Sequence, residues 1–163
     1  MPQTASIRAD LSAFAGGSLL HFPLNEPAVA DPDLVVVPEV AFQSLCEHHL
    51  LPYNGVVHIG YLHGENLLGP TELARIVEAC SGGIQDQQRM TTRIGLWLHH
   101  QLRARGLGVL VEGDYTCAAG RGGFAGPKTT LAFHGSLRHS ATEQREFLTL
   151  ARKELGKGKF GND

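Results

Sequence analysis

Four runs of β-branched and apolar residues stand out along the chain: Leu34 to Leu45, Val56 to Leu62, Leu107 to Cys117, and Lys128 to Leu137. Turn-forming stretches bound them, Pro52-Tyr53-Asn54-Gly55 and His63-Gly64-Glu65-Asn66 among them, so each reads as a strand. Pro38 interrupts the first run and predicts an edge position or a bulge there. Between the second and third runs the apolar period changes from strand to helix. Leu73, Ile76, Val77 and Cys80 fall at i, i+3, i+4 and i+7, which predicts a helix capped by Thr71 after Pro70 and ended by Gly82-Gly83, with Cys80 in the core. A second helix is predicted from about Gln85 to Arg105, through Met90, Ile94, Trp97, Leu98 and Leu102, with Trp97 as packing core and Gly106 as its stop. A last helix runs from Thr142, its expected cap, to about Leu155.

The order strand, strand, helix, helix, strand, strand predicts an α+β fold: an antiparallel four-stranded sheet with paired helices on one face, plus a C-terminal helix. Such a sheet has open edges and is expected to associate into a larger barrel. Residues 1–33 carry Gly16-Gly17 and prolines 2, 23, 27 and 32 with little periodicity, and read as an arm. Residues 34–155 form the predicted domain, and the Gly-rich segment 156–163 a flexible tail.

Composition narrows the classes of partner. With 42% apolar and 18% charged residues the chain is ordinary globular material, and a net charge of −2 argues against a nucleic-acid or anionic membrane surface. No run approaches a membrane span and no targeting signal is read at the N-terminus. Cys46, Cys80 and Cys117 are odd in number and widely spaced, so no disulfide framework is implied and a cytoplasmic location is expected.

The chemistry concentrates in Cys46-Glu47-His48-His49. Cys46 and His49 are three apart, so one turn of backbone can aim a thiolate and an imidazole at one point, a donor pair that suits zinc. Cys117, at the end of a strand and before a Gly-rich stretch, is the best candidate for a third ligand. Two Cys and one His leave a fourth tetrahedral position for water, the pattern of catalytic rather than structural zinc. Taken alone, a buried Cys is more often a small hydrophobe and a His a satisfied structural residue. His99-His100 are read as surface residues, His58 as structural, and Glu47 as a residue that orients a neighbour.

In order along the chain, Phe42-Gln43-Ser44-Leu45-Cys46-Glu47-His48-His49-Leu50-Leu51-Pro52, Leu73-Ala74-Arg75-Ile76-Val77-Glu78 after Gly69, Gln85-Asp86-Gln87-Gln88-Arg89-Met90-Thr91, Cys117 with Arg121-Gly122, and Glu146-Phe147-Leu148-Thr149-Leu150 resemble the successive signatures of the GTP cyclohydrolase I family. The resemblance spans residues 34 to 152, and the block from Cys46 to Pro52 is its most specific part. It implies a T-fold, assembled as a toroidal homo-oligomer, typically a decamer, with active sites between subunits. It also implies zinc held by Cys46, His49 and Cys117, a zinc-activated water attacking C8 of a purine, and His48 shuttling protons as the imidazole ring opens and formate leaves. In the family, rearrangement and reclosure then give dihydroneopterin triphosphate.

Three departures from the family pattern bear on the substrate. Gln88 stands where the family has a Glu that accepts from the guanine N1–H and exocyclic amine, and an amide offers one acceptor and one donor instead. Glu72 stands where the family has a phosphate-binding Lys, with Thr71 in place of the neighbouring Ser; Arg75 and Arg121 keep the family's phosphate positions, and Lys128 lies nearby in sequence. A carboxylate beside three phosphates is repulsive, unless it turns to the helix N-terminus, where it is favourable. Tyr115 replaces the family's second catalytic His and, titrating near pH 10, is a hydrogen-bond donor rather than a proton shuttle near neutrality. The sequence therefore favours a purine that differs from GTP in base or phosphate number. GTP itself, and a catalytically silent binding or regulatory homologue, are the other two readings.

Overall fold

A computed structural model defines residues 34–115 and 126–158, with side chains to 153. The expected arm, Cys117, Arg121 and residues 159–163 lie outside the described residues. The elements in order are β1 (Val35–Cys46), β2 (Pro52–Gly64), α1 (Pro70–Ser81), β3 (Ile84–Gln85), α2 (Gln87–Leu102), β4 (Ala104–Tyr115), β5 (Lys128–Gly135), a 3-10 turn (Ser136–Arg138) and α3 (Ala141–Gly158). They form one sheet ordered β3-β1-β2-β4-β5.

The four predicted strands pair antiparallel, and a fifth of two residues, β3, adds to β1 in parallel through Leu45 with Ile84 and Cys46 with Gln85. Sequence reading put Gln85 in the second helix. Asp86 sets the boundary instead: its Oδ1 accepts from Arg89 N at 3.0 Å, so the helix starts after it and Ile84–Gln85 stay extended. Other ends shift for similar local reasons. Arg103 closes α2 in the left-handed region (φ 47°), three residues before the expected Gly106, and β4 begins at once. Gly69, not Thr71, is the N-cap of α1, and Ser140, not Thr142, caps α3, its Oγ accepting from Glu143 N at 3.3 Å. Helix α3 continues through Gly158, into the segment expected to be tail.

Each face of the sheet has its own core. On one, Val57, Ile59, Leu107, Val109 and Val111 pack with Leu73, Val77 and Cys80 of α1 and Met90, Ile94 and Leu98 of α2, all buried. On the other, Leu62 and Leu110 pack with Leu137 and with Phe147 and Ala151 of α3. Phe147 sits directly over Gly60 and Gly108, where any side chain would occupy the space of its ring. Fully burying such a ring contributes about 1.5–3 kcal/mol. Trp97, expected in the core, is 44% exposed, because the buried stripe of α2 runs through Met90, Ile94 and Leu98 and leaves Leu96 and Trp97 outward. Among the described residues no helix is long and apolar enough to cross a membrane.

The irregularity at Pro38 positions the site. Between Val37 and Val40, β1 advances three residues while β2 advances two, from Ile59 to Val57. That extra residue reverses the side-chain alternation. Val35 and Val37 face the α1/α2 side before it, and Phe42 and Cys46 face that side after it. Without the bulge Cys46 would point to the α3 face.

Candidate metal centre and active site

β1 ends at Cys46, and the chain reverses at once. Leu50 N donates to Cys46 O at 2.8 Å and Cys46 N to Leu51 O at 2.9 Å, with Leu50 in the left-handed region (φ 55°). This turn folds His49 back over Cys46, so that Sγ and Nδ1 are 3.9 Å apart. Two donors of one tetrahedral zinc, at ordinary Zn–S and Zn–N lengths, stand about 3.6 Å apart. The pair therefore fits a shared ion with a shift of a few tenths of an ångström. Cys46 is buried and His49 exposed, so the site is walled on one side and open on the other.

His48 points outward from the same turn, its side chain 72% exposed. The Glu47 carboxylate lies 3.8 Å from His48 Nε2 and 3.6 Å from an Arg89 guanidinium nitrogen. Glu47, His48 and Asp86 offer three donor atoms within 4.8 Å of one another. Their chemistry suits zinc less than the sulfur and nitrogen donors of Cys46 and His49 do. Arg89 already faces Glu47, and Asp86 Oδ1 is engaged in capping α2. Beside this group is an open cleft of about 370 Å³ lined by Glu47, Ile84, Gln85, Asp86, Arg89 and Arg93, two carboxylates against two guanidinium groups.

Tyr115 ends β4 next to Tyr53 of β2, the rings stacked with centroids 4.2 Å apart. Burial, and then the neighbouring Tyr53, push the Tyr115 phenol well above its ordinary range, so it stays protonated at any physiological pH. Tyr53 is raised as well, chiefly by burial. Lys128, exposed at the start of β5, holds its ammonium 5.8 Å from the centre of the Tyr115 ring. The structure thus groups Cys46, His48 and His49 in one turn, and Tyr115 with Lys128 at the adjoining strand ends.

The remaining candidates lie on helices. Gln88 is exposed in the first turn of α2, two residues from Asp86, whereas its neighbour Gln87 is fully buried. Thr71, Glu72 and Arg75 stand together at the start of α1, all exposed. The Glu72 carboxylate turns back on its own helix and accepts from Gly69 N at 2.9 Å. Of the histidines set aside as non-ligands, His58 is fully buried, His100 is exposed, and His99 packs its ring 5.9 Å from that of His134. Cys80 is buried in the core, where desolvation pushes its thiol pKa up.

Sequence reasoning missed Tyr53, Gln87 and Arg89. Arg89 and Glu47 are forty-two positions apart, and only the closure of β3 onto β1 brings them together. Gln87 could have been suspected from Asp86 as a cap, because the position after it opens the helix.

The model of the family GTP cyclohydrolase I matches residues 21–152. GTP cyclohydrolase 1 of Homo sapiens is 40% identical over 134 residues, which is 79% of this chain and 53% of the human protein. The enzyme of the same name from Brucella anthropi is 35% identical over 123 residues, 74% of this chain and 58% of that one. The chain thus spans little more than half the length of these relatives. Among solved structures, the archaeosine synthase QueF-Like in its apo form aligns with a TM-score of 0.54 at 16% identity, over 64% of this chain and 95% of that one. The FolB protein from Vibrio cholerae, a putative dihydroneopterin aldolase by its description, aligns at 0.50 and 9% identity, over 63% and 97%. These likenesses identify the fold as a T-fold.

Proposed function

The chain belongs to the GTP cyclohydrolase I family, and from that premise we propose that it is a zinc-dependent cyclohydrolase that opens the imidazole ring of a purine-type substrate at C8. The observation that carries this reading is the 3.9 Å approach of Cys46 Sγ to His49 Nδ1 beside an exposed His48. Zinc held there by Cys46 and His49, with Cys117 as third ligand, supplies a nucleophilic water at neutral pH. His48 moves the protons as the C8–N bonds break, and the Glu47 carboxylate near its Nε2 supports that role. Tyr115, held protonated, offers the substrate a hydrogen bond rather than a titrating group. Gln88 reads the pyrimidine edge of the base. Arg75, Arg121, Lys128 and Thr71 hold a phosphate or other acidic group. The working form is a homo-oligomer, a decamer by family likeness, with sites between subunits.

The substrate on this reading differs from GTP, in the base edge that Gln88 faces or in phosphate number. A second reading, GTP itself, is favoured by one observation. Glu72, whose charge would repel a triphosphate, is bound to the Gly69 amide at the α1 N-terminus, where the helix partly offsets that charge.

Turnover of the zinc-loaded protein against GTP, GMP, guanosine, xanthine- and hypoxanthine-type nucleotides and bases, and urate tests the reading, with formate and ultraviolet spectra followed. Formate from a purine other than GTP, lost in His48→Ala, is the expected result. Conversion of GTP to dihydroneopterin triphosphate overturns the altered-substrate reading. Formate from none of them overturns the cyclohydrolase reading itself.

A further inference from the structure

Ser44, Tyr53 and Tyr115 form a row across three adjacent strands, Ser44 opposite Tyr53 on β1 and β2, and Tyr53 opposite Tyr115 on β2 and β4. Tyr53 has no exposed surface and is held from several sides. Phe42 meets its ring edge-on at 5.8 Å, and its hydroxyl donates to the Gln85 carbonyl at 3.4 Å. The Tyr115 ring, by contrast, is half-buried at a strand end, two residues before Cys117. Its flat contact with Tyr53, 4.2 Å between centroids and 8° between planes, limits how it can turn. An aromatic pair of this kind favours one ring orientation several-fold beyond what area burial does.

We propose that Tyr53 is a positioning residue for catalysis: its ring holds Tyr115 so that the Tyr115 hydroxyl meets the substrate from one fixed place at the edge of the Cys46 site. Tyr53, being fully buried, does not reach the substrate itself. A leucine would fill much of the same volume yet present no plane for Tyr115 to lie on. A hydroxyl misplaced by about 1 Å loses on the order of 100-fold in rate when its bond matters chiefly in the transition state. The inference rests on the cyclohydrolase reading above.

The test uses the zinc-loaded full chain, with the purine it turns over, and the variants Tyr53→Phe, Tyr53→Leu, Tyr115→Phe and the double variant Tyr53→Leu/Tyr115→Phe. Tyr53→Phe keeps the plane but loses the hydroxyl contact with Tyr115, so its loss of kcat should be smaller than that of Tyr53→Leu. Tyr115→Phe should lower kcat by about 10- to 100-fold and Tyr53→Leu by about 3- to 10-fold, each with KM within about 3-fold, and the double variant should be no slower than Tyr115→Phe alone. A double variant whose losses multiply, or a Tyr53→Leu variant that loses stability but not kcat, overturns the inference while leaving the cyclohydrolase reading intact. Should Tyr53→Leu fail to fold, Tyr53→Met fills the space without a plane and takes its place, judged by the same non-additivity. Fluorine NMR of 3-fluorotyrosine-labelled protein, with only three tyrosines to assign, reads the ring directly. The Tyr115 resonance should move further toward that of free tyrosine in Tyr53→Leu than in Tyr53→Phe; no movement in Tyr53→Leu overturns the inference. Absence of turnover by the unsubstituted protein overturns the cyclohydrolase reading first, and this inference with it.

Discussion

Gln87 Nε2 donates to the Lys128 carbonyl at 2.8 Å and so ties the first turn of α2 to the start of β5. The same amide reaches Val111 O at 3.2 Å and Thr130 Oγ1 at 3.1 Å, and Thr91 Oγ1 donates to the main-chain carbonyl of Gln87 at 2.7 Å. This buried knot holds the helix that carries Asp86, Gln88 and Arg89 against the strands that lead to Tyr115 and Lys128. Gln87→Leu takes that donor from a dry place but also removes the side-chain oxygen, which has no hydrogen-bond partner, so it should cost about 1–3 kcal/mol. Gln87→Glu buries a charge and should cost more at neutral pH, with part of the loss recovered on acidification. Urea unfolding of the three proteins checks both. Equal stability of Gln87→Leu and parent would show that the knot contributes nothing.

Cys46 and Cys80 are expected to part in their effect on metal. Cys46→Ala and His49→Ala should each lower bound zinc from about one ion per chain to a small fraction, measured by elemental analysis after dialysis. Cys80→Ala removes a small buried group from the α1 core, so it should lower stability by about 1 kcal/mol and leave zinc content unchanged. Asp86→Asn is the second control. If it, rather than Cys46→Ala, released the metal, the ion would belong to the Glu47, His48 and Asp86 group.

His134 faces Gly95 of α2 so closely that a methyl group there would collide with its Nε2. Burial first, then His99 and Arg138, lower its pKa below the ordinary 6.5. In the window between the lowered folded value and about 6.5 the unfolded chain therefore binds more protons than the folded one. Stability from this residue is complete above about 6.5 and falls as the pH drops through that window. His134→Gln should flatten the difference in stability between about pH 7.5 and pH 5 relative to the parent. An unchanged difference would assign the acid sensitivity to other histidines.

How far these relations could be read in advance differs by type. The apolar periods gave both helices of the pair and all four long strands, because Leu73, Ile76, Val77 and Cys80, or Val57 and Ile59, each face one core and so carry its period in sequence. Trp97 failed for the opposite reason: it shares the helix but stands just outside the stripe, and a residue type alone does not say which side of a stripe edge it falls on. The Cys46–His49 approach was legible because three positions make one turn. The Glu47–Arg89 pair and the Tyr53–Tyr115 stack were not: the first depends on β3 joining β1 and the second on the register of β2 with β4, and a register leaves no local mark.

Glu72 separates a helix cap from an electrostatic gate. Glu72→Gln keeps an oxygen that can accept from Gly69 N and removes the charge, so stability should fall by no more than about 1 kcal/mol. Held as it is, the carboxylate should have little reach toward a bound nucleotide, and the KM for triphosphates should change by less than about 3-fold. A fall of 10-fold or more, on the order expected for removal of a close like charge, would instead make Glu72 the group that excludes triphosphates.

Gln88 carries the prediction on the base. It is exposed, and its side chain takes no part in the Gln87 knot, so Gln88→Glu should leave stability within about 0.5 kcal/mol. What changes is the pattern offered to a ligand, from one donor and one acceptor to two acceptors. A guanine edge presents two donors and suits the carboxylate, while an edge with an N–H beside a carbonyl suits the amide. One mismatched buried pair costs about 1–3 kcal/mol, which is about 5- to 150-fold in kcat/KM. The ratio of kcat/KM for guanine over hypoxanthine or xanthine nucleotides should therefore rise by about that factor in Gln88→Glu, mostly through gain on the guanine side. A ratio that stays within about 2-fold would mean that Gln88 does not face the base, and the case for a changed purine would lose its chief support.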